Sequence, residues 1–368
     1  MPAKVFFADM RAKHKENLLD KVEKLFERAG MRELFAPRDL VAFKVHFGER
    51  GNTGYVRPQF IRRLVEKVKE LGGKPFLTDA NTLYVGSRSN AVDHLQTAIE
   101  NGFAYAVVGA PLIIADGLTG KDYINVPVNL KHFKEVKIGS ALIHADALLV
   151  VSHFKCHELT GFGGALKNTG MGSGSRSGKQ MMHSDVLPGV NPEKCEGCAR
   201  CTRWCPAGAI AVSRETKKAA IDQEKCIGCG ECTVTCPVEA IGINWKTEPE
   251  AIQEKIVEYA AGVLHNKKGK AGFINFVTNV SPECDCVSWT DAPVVRDIGI
   301  LASLDPVALD QACADLVNGE KVLPGSRLEG REVQDVFRAL WPQAVWERQL
   351  TYGEEIGLGT RQYELIKI

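Results

Sequence analysis

The sequence predicts an α/β fold, a mostly parallel sheet with helices on both faces, interrupted by a small α+β cysteine-rich domain. Three observations predict it. Short β-rich runs alternate with amphipathic helical stripes over the first 155 residues. The same alternation resumes from residue 247. Between the two stretches, eight of the 12 cysteines fall between Cys195 and Cys236. Alternation argues for parallel strands, because a parallel pair needs a crossover long enough to hold a helix.

The elements follow in order. Leu18, Val22, Leu25 and Phe26 form one apolar stripe, stopped by Gly30. Residues 40–47 and 74–79 read as strands, and the run from Ala147 to His153 as a buried parallel strand. Phe60, Ile61, Leu64, Val68 and Leu71 form a second stripe, stopped by Gly72 and Gly73. A Gly/Ser-rich stretch over residues 161–178 then breaks the pattern. Beyond the cysteines, Thr247 and Glu250 suit a capping box, opening a helix with the stripe Ile252, Ile256, Ala260, Val263 and Leu264. Residues 272–280 read as a strand, and Asp305–Pro306 caps a helix running to about Val317. Residues 1–188 and 247–368 are therefore expected to form one discontinuous α/β domain around an insert at 189–246. Two separate domains flanking the insert are the alternative.

A chain of 368 residues is large enough for more than one core. Lys and Arg number 46 against 45 Asp and Glu, which gives no global pull toward nucleic acid or anionic membrane. The start lacks a long apolar core after a basic segment, and no apolar run approaches the roughly 18 residues of a membrane span. These features lead to an expected cytoplasmic location. The cysteine usage favours a reducing setting poor in oxygen.

Residues 195–206 read C-E-G-C-A-R-C-T-R-W-C-P and residues 226–237 read C-I-G-C-G-E-C-T-V-T-C-P. Both match Cys-x2-Cys-x2-Cys-x3-Cys-Pro, the two-cluster bacterial ferredoxin pattern, so two 4Fe–4S clusters are the expected cofactors. The close spacings let three thiolates wrap one face of a cubane while the fourth is directed toward the other cluster. Cys195, Cys198, Cys201 and Cys236 are thus assigned to one cluster, and Cys226, Cys229, Cys232 and Cys205 to the second. The segment repeats internally at an offset of 31 residues, which places Ile210 and Ile241 as matching shields. Zinc is the competing reading, but it takes four tetrahedral ligands, usually as two separated pairs.

In open parallel sheets, ligands sit beyond the carboxyl ends of the strands. One end carries Lys44, His46 and Glu49, a second ends at Asp79 near Asn81, and a third carries His153, Lys155 and His157. Residues two apart share a face of an extended chain, so Lys44 would pair with His46, and His153 with Lys155 and His157. His46, His153 and His157 are the candidate proton-transfer residues. Lys44, Lys155, Lys167, Arg176 and Lys179 are the candidate cations for a small anionic substrate or a flavin phosphate. The last three sit in the glycine-rich run, which fails as a P-loop and as a dinucleotide fingerprint. Its bland reading is a flexible hinge. Cys284 and Cys286 are candidates for an extra soft-metal site, although Cys-x-Cys alone lacks two ligands. Cys156 and Cys313 read as buried structure.

Together, K-V-H-F-G-E at 44–49, S-H-F-K-C-H at 152–157, G-F-G-G-A-L-K-N at 161–168, E-C-D-C at 283–286 and D-P-V-A-L-D at 305–310 resemble an iron–sulfur-centre protein family, domain of unknown function 362. The resemblance covers nearly the whole chain. It implies the inserted architecture and one shared site for these polar segments, and it implies no substrate. The resulting expectation is an iron–sulfur oxidoreductase with a redox partner protein. A ferredoxin-type carrier that only docks a partner, and a metal- or cluster-handling protein, are the alternatives.

Overall fold

The computed structural model describes residues 2–84, 86–183, 187–226, 230–242 and 248–368. In chain order the first part runs β1 (Ala3–Asp9), α1 (Leu18–Arg28), β2 (Leu40–Lys44), α2 (Pro58–Glu70), β3 (Lys74–Asp79), α3 (Ala91–Ala98), α4 (Tyr105–Val108) and β4 (Leu112–Ile114). Next come the ribbon β5 (Tyr123–Pro127) and β6 (Glu135–Gly139), then α5 (Ser140–His144) and β7 (Ala147–His153). A second ribbon, β8 (Lys155–His157) and β9 (Gly161–Gly163), leads into α6 (Ala165–Ser173) and α7 (Arg176–His183). The cysteine-rich segment holds β10 (Gly189–Val190), α8 (Arg200–Arg203), β11 (Ile210–Val212), β12 (Ala219–Ile221), α9 (Glu231–Thr235) and β13 (Ile241–Gly242). The chain then runs α10 (Pro249–Leu264), β14 (Ala271–Val277), β15 (Gly299–Ser303), α11 (Pro306–Asn318), α12 (Val336–Leu340), α13 (Glu347–Glu355) and β16 (Tyr363–Lys367).

Eight strands make one sheet in the order β16-β1-β15-β14-β7-β2-β3-β4. Its pairs are parallel except the two made by β15. This is the expected α/β class. β7 pairs with β14, so segments on either side of the cysteine-rich stretch share one sheet. All seven residues of β7 are buried, and their alternation splits them between two cores. Leu148 and Val150 face one core, while Ala147, Leu149 and Val151 face the other. Apolar cover on both faces is why this strand reads as a continuous hydrophobic run. No helix among the described residues is long and apolar enough to cross a membrane.

Several sequence expectations shift. β2 stops at Lys44 rather than residue 47, and β14 ends at Val277 rather than 280, because the following residues turn to form the site. α10 begins at Pro249 with Glu248 at its N-cap, and Thr247 of the expected capping box lies outside the described residues. The glycine-rich run is no hinge. It forms α6 and α7, largely buried, because its small residues permit close helix packing. A Cβ on Gly170 would overlap the carbonyl oxygen of Ile256 on α10. That backbone cannot swing aside as a side chain would. Gly170→Ala is therefore expected to destabilise the chain by about 1–3 kcal/mol, read as a lower urea midpoint. An unchanged midpoint would show that α6 and α10 have room to separate.

The cysteine-rich segment has its own small core, in which Cys195, Cys201 and Cys232 pack with Ile210, Ala219, Ala240 and Ile241. It docks on the large domain through polar contacts. Lys121 donates to Thr235 Oγ1 at 2.7 Å and lies over the Trp204 ring. Tyr123 donates to Glu231 at 2.9 Å, and Lys137 pairs with the same carboxylate at 3.1 Å.

Candidate functional site

The carboxyl ends of β2, β3, β7 and β14 deliver polar groups to one edge of the sheet. Lys44, wholly buried, closes β2. Its Nζ lies 2.9 Å from Asp79 Oδ1 at the end of β3, and it donates to Asn168 Oδ1 on α6 at 2.7 Å. Arg88 sits 3.6 Å from the other Asp79 oxygen and 3.1 Å from Glu49 Oε2, and donates to Tyr84 Oη at 2.7 Å. Two buried cations thus face two buried carboxylates. Burial alone would raise the Asp79 carboxyl, but the Lys44, His46, His94 and Arg88 groups hold it far below the usual range.

The three histidines part company. His46 lines a cavity beyond the strand ends. Its Nδ1 accepts from the Gly48 N–H at 3.0 Å, and its Nε2 lies 3.3 Å from Arg88 Nη1. Burial and the Arg88 charge push its protonation well below the ordinary value. His153 does not line that cavity. β7 ends at this residue, and the ring turns between Asp285 Oδ1 at 2.8 Å and the carbonyl of Thr278 at 2.8 Å. Both ring nitrogens are engaged, so His153 is a brace. His157 belongs to the next ribbon and does line the cavity; its Nδ1 accepts from the N–H groups of Leu159 and Thr160 at 3.1 and 3.3 Å. The shared face expected for His153, Lys155 and His157 is therefore broken by the end of β7.

The cavity measures about 350 Å³. Lys155, Lys167, Lys179 and Arg88 give it cationic walls, and Leu83, Met171, Ile252 and Ile256 give it an apolar side. Lys155 pairs with Asp285 at 3.2 Å, and that carboxylate keeps its ammonium charged against the effect of burial. Lys179 donates to the Gly174 carbonyl at 2.6 Å, and burial lowers its hold on the proton. Arg176 points away, with Nε donating to Thr82 O at 2.9 Å, and only ties the β3 loop in place. The N–H groups at the start of α6 do not face an open anion site. Ala165 and Leu166 donate to the two oxygens of Asp310 at 2.7 and 2.8 Å, an anion the chain supplies itself.

Cys284 and Cys286 also line the cavity. Their sulfurs and a ring nitrogen of His157 lie within 4.8 Å of one another, close enough to be tested as a metal site. Lys167 Nζ lies 3.6 Å from Cys284 Sγ. Hydrogen bonding from Cys286 and the Lys167 and Lys155 charges drive the Cys284 thiol well below its ordinary value despite burial. The same bond and burial drive Cys286 well above it.

In the cysteine-rich lobe, Cys195, Cys198, Cys201 and Cys236 surround one small void together with Ala240 and Ile241. Cys205, Cys226 and Cys232 surround a second, with Ile210 and Ile221. Cys229 lies outside the described residues. Backbone N–H groups point at the sulfurs: Ala209 donates to Cys205 at 3.2 Å, Ala240 to Cys236 at 3.2 Å, and Ala219 to Cys195 at 3.3 Å.

Sequence reasoning missed Arg88, Tyr84 and Asn168 as site residues. Arg88 stands in a polar stretch that reads as a solvated loop, and only the tertiary structure buries it. Asn168 was visible inside the glycine-rich run but had no named role.

Fold and site define a class: an α/β protein with a cation-lined cavity at the carboxyl edge of its sheet and a cysteine-rich lobe beside it. The chain belongs to the DUF362 family, described as a domain of unknown function, whose model matches residues 41–315. Among solved structures, the lactate racemase apoprotein from Thermoanaerobacterium thermosaccharolyticum is similar at 13% identity, with a TM-score of 0.37, over 75% of this chain and 51% of that one. A protein from Thermotoga maritima is similar at 12% identity, with a TM-score of 0.32, over 73% and 51%. The chain spans about half the length of these two proteins. No curated protein matches it.

Proposed function

We propose that the chain is an iron–sulfur oxidoreductase that passes single electrons between two 4Fe–4S clusters and a small anionic substrate held in the cavity. The observation that carries this reading is the crossed gathering of thiols. Three cysteines of the first motif meet the last of the second around one void, and the last of the first joins its counterparts around the other. A zinc knuckle has no use for that exchange. Each cluster, when bound, supplies or accepts one electron at a time.

The chain's own residues do the rest. Amide hydrogen bonds to the Cys195, Cys205 and Cys236 sulfurs stabilise negative charge there and so favour the reduced state. Ile210 and Ile241, both buried, exclude water from the lobe. At the other end, Lys155, Lys167 and Arg88 attract an anion, and His46 stands at the cavity wall beside Arg88. A carrier that only docks a partner would leave this cavity without a task.

Protein prepared without oxygen is expected to be brown, to carry two four-iron clusters with matching sulfide, and to bleach on reduction. Cys201→Ser and Cys232→Ser are each expected to lower iron by about half. A colourless protein, or one holding zinc instead, would sink the proposal.

A further inference from the structure

We propose that Cys284 and Cys286 form a redox-active dithiol that stores two electrons at the cavity wall and passes them to an anionic organic disulfide. This rests on the electron-transfer reading above, which supplies the electrons, and adds the group that uses them.

Geometry sets the pair up. The Val287 N–H donates to the Cys284 carbonyl at 3.2 Å, so residues 284–287 form a tight turn that brings both sulfurs to the cavity. Lys167 stands beside Cys284, and Lys155 grips the intervening Asp285. The cations favour the thiolate, which is the nucleophile in thiol–disulfide exchange. His157 argues against the rival use of the same sulfurs as metal ligands. A ligating histidine presents one nitrogen to the metal and donates the hydrogen on the other to an acceptor. Here Nδ1 already faces two N–H donors, so the hydrogen sits on the remaining nitrogen. A ring whose open nitrogen carries the hydrogen suits a hydrogen-bond donor better than a metal ligand.

A route for electrons is also present. Gln180 of α7 packs on Gly230 at the Cys205, Cys226 and Cys232 void, while its neighbour Lys179 and His183, one turn on, line the cavity. One helix therefore separates this cluster site from the cavity that the dithiol lines. The site holding exposed Cys198 is the outer one.

The chemistry balances. The Cys284 thiolate attacks one sulfur of the substrate disulfide, that bond breaks, and the first half leaves as a thiolate. Cys286 gives up its proton and displaces the second half, which takes that proton and leaves as a thiol. The substrate has gained two electrons, and Cys284 and Cys286 are joined as a disulfide. Two electrons drawn one at a time from the clusters, with one proton, restore the thiolate and the thiol. A low-potential one-electron donor refills the clusters. Around the cavity, the cations select a negatively charged disulfide and the apolar side accommodates its carbon chain.

The test uses the anaerobic, cluster-loaded full chain and two small disulfides of similar length, dithiodiglycolate, a dianion, and cystamine, a dication. Dithiodiglycolate is expected to be reduced, leaving a Cys284–Cys286 disulfide detectable by peptide mass spectrometry. Cystamine should react at least about tenfold more slowly, and Lys167→Met should shrink that preference severalfold. Dithionite should then reopen the protein disulfide in the wild type and much more slowly in Cys232→Ser. Intact clusters with no Cys284–Cys286 disulfide overturn the dithiol alone. So does a stoichiometric metal other than iron that Cys286→Ser removes. Disulfide formation in a chain that never holds iron overturns the electron-transfer reading and leaves the dithiol standing.

Discussion

Replacing Asp79 by alanine is expected to lower the stability of the full chain by about 3–5 kcal/mol, because it strands buried cations without their counter-charge. Lys44 is wholly inaccessible and Arg88 nearly so, and both lean on this carboxylate. Glu49 still holds Arg88, which leaves Lys44 as the chief casualty. The pH dependence has a definite sign. The folded state keeps the Asp79 carboxyl far below its unfolded value of about 3.9. Its contribution is therefore present in full above that value and is lost as pH falls toward the folded one. Acid unfolding monitored by circular dichroism should show a shallower acid limb in Asp79→Asn than in the wild type. Equal limbs and an unchanged urea midpoint would contradict the role given to this ion pair.

The second large effect falls on Asp310. Its carboxylate accepts from the Ala165 and Leu166 N–H groups and from Asn275 Nδ2 at 2.7 Å, all in the core. Asp310→Ala leaves three buried donors without partners, and a loss of at least about 3 kcal/mol is expected. Because α6 carries Lys167 and Asn168 to the cavity, a loosened N-terminus should also weaken anion binding. Here the sign with pH is reversed. Burial pushes this carboxyl up to about 6, so the folded state binds its proton more tightly than the unfolded state. That part of the stability falls as pH rises from about 4 through 6, and it should vanish in Asp310→Ala. A variant with wild-type stability across this range would mean that α6 is held by packing alone.

How much was legible follows from physics at each place. β3 and β7 stand where their runs put them, and for β7 the reason is plain, since a strand buried on both faces reads as a continuous apolar run. The cysteine repeat set the crossed grouping, because short spacings leave a thiol few directions to point. The helices at 165–183 were hidden, as glycine and serine also make loops, and only the backbone of α10 shows why small residues are required there. His153 looked like a site residue by period-two logic, yet β7 ends at it and Asp285 takes its ring. The meeting of His157 with Cys284 and Cys286 had no local signal. It depends on β7 and β14 lying side by side, a pairing across the whole cysteine-rich segment.

Two clusters held by eight crossed cysteines, as proposed, would lie close enough to interact magnetically. Electron paramagnetic resonance of the fully reduced, anaerobically prepared full chain tests it most directly. The expected signal is broadened by the magnetic interaction of two neighbouring reduced clusters and collapses to a simple single-cluster signal in Cys201→Ser and in Cys232→Ser alike. A wild-type protein that shows one isolated cluster, or no iron–sulfur signal after full reduction, would contradict it.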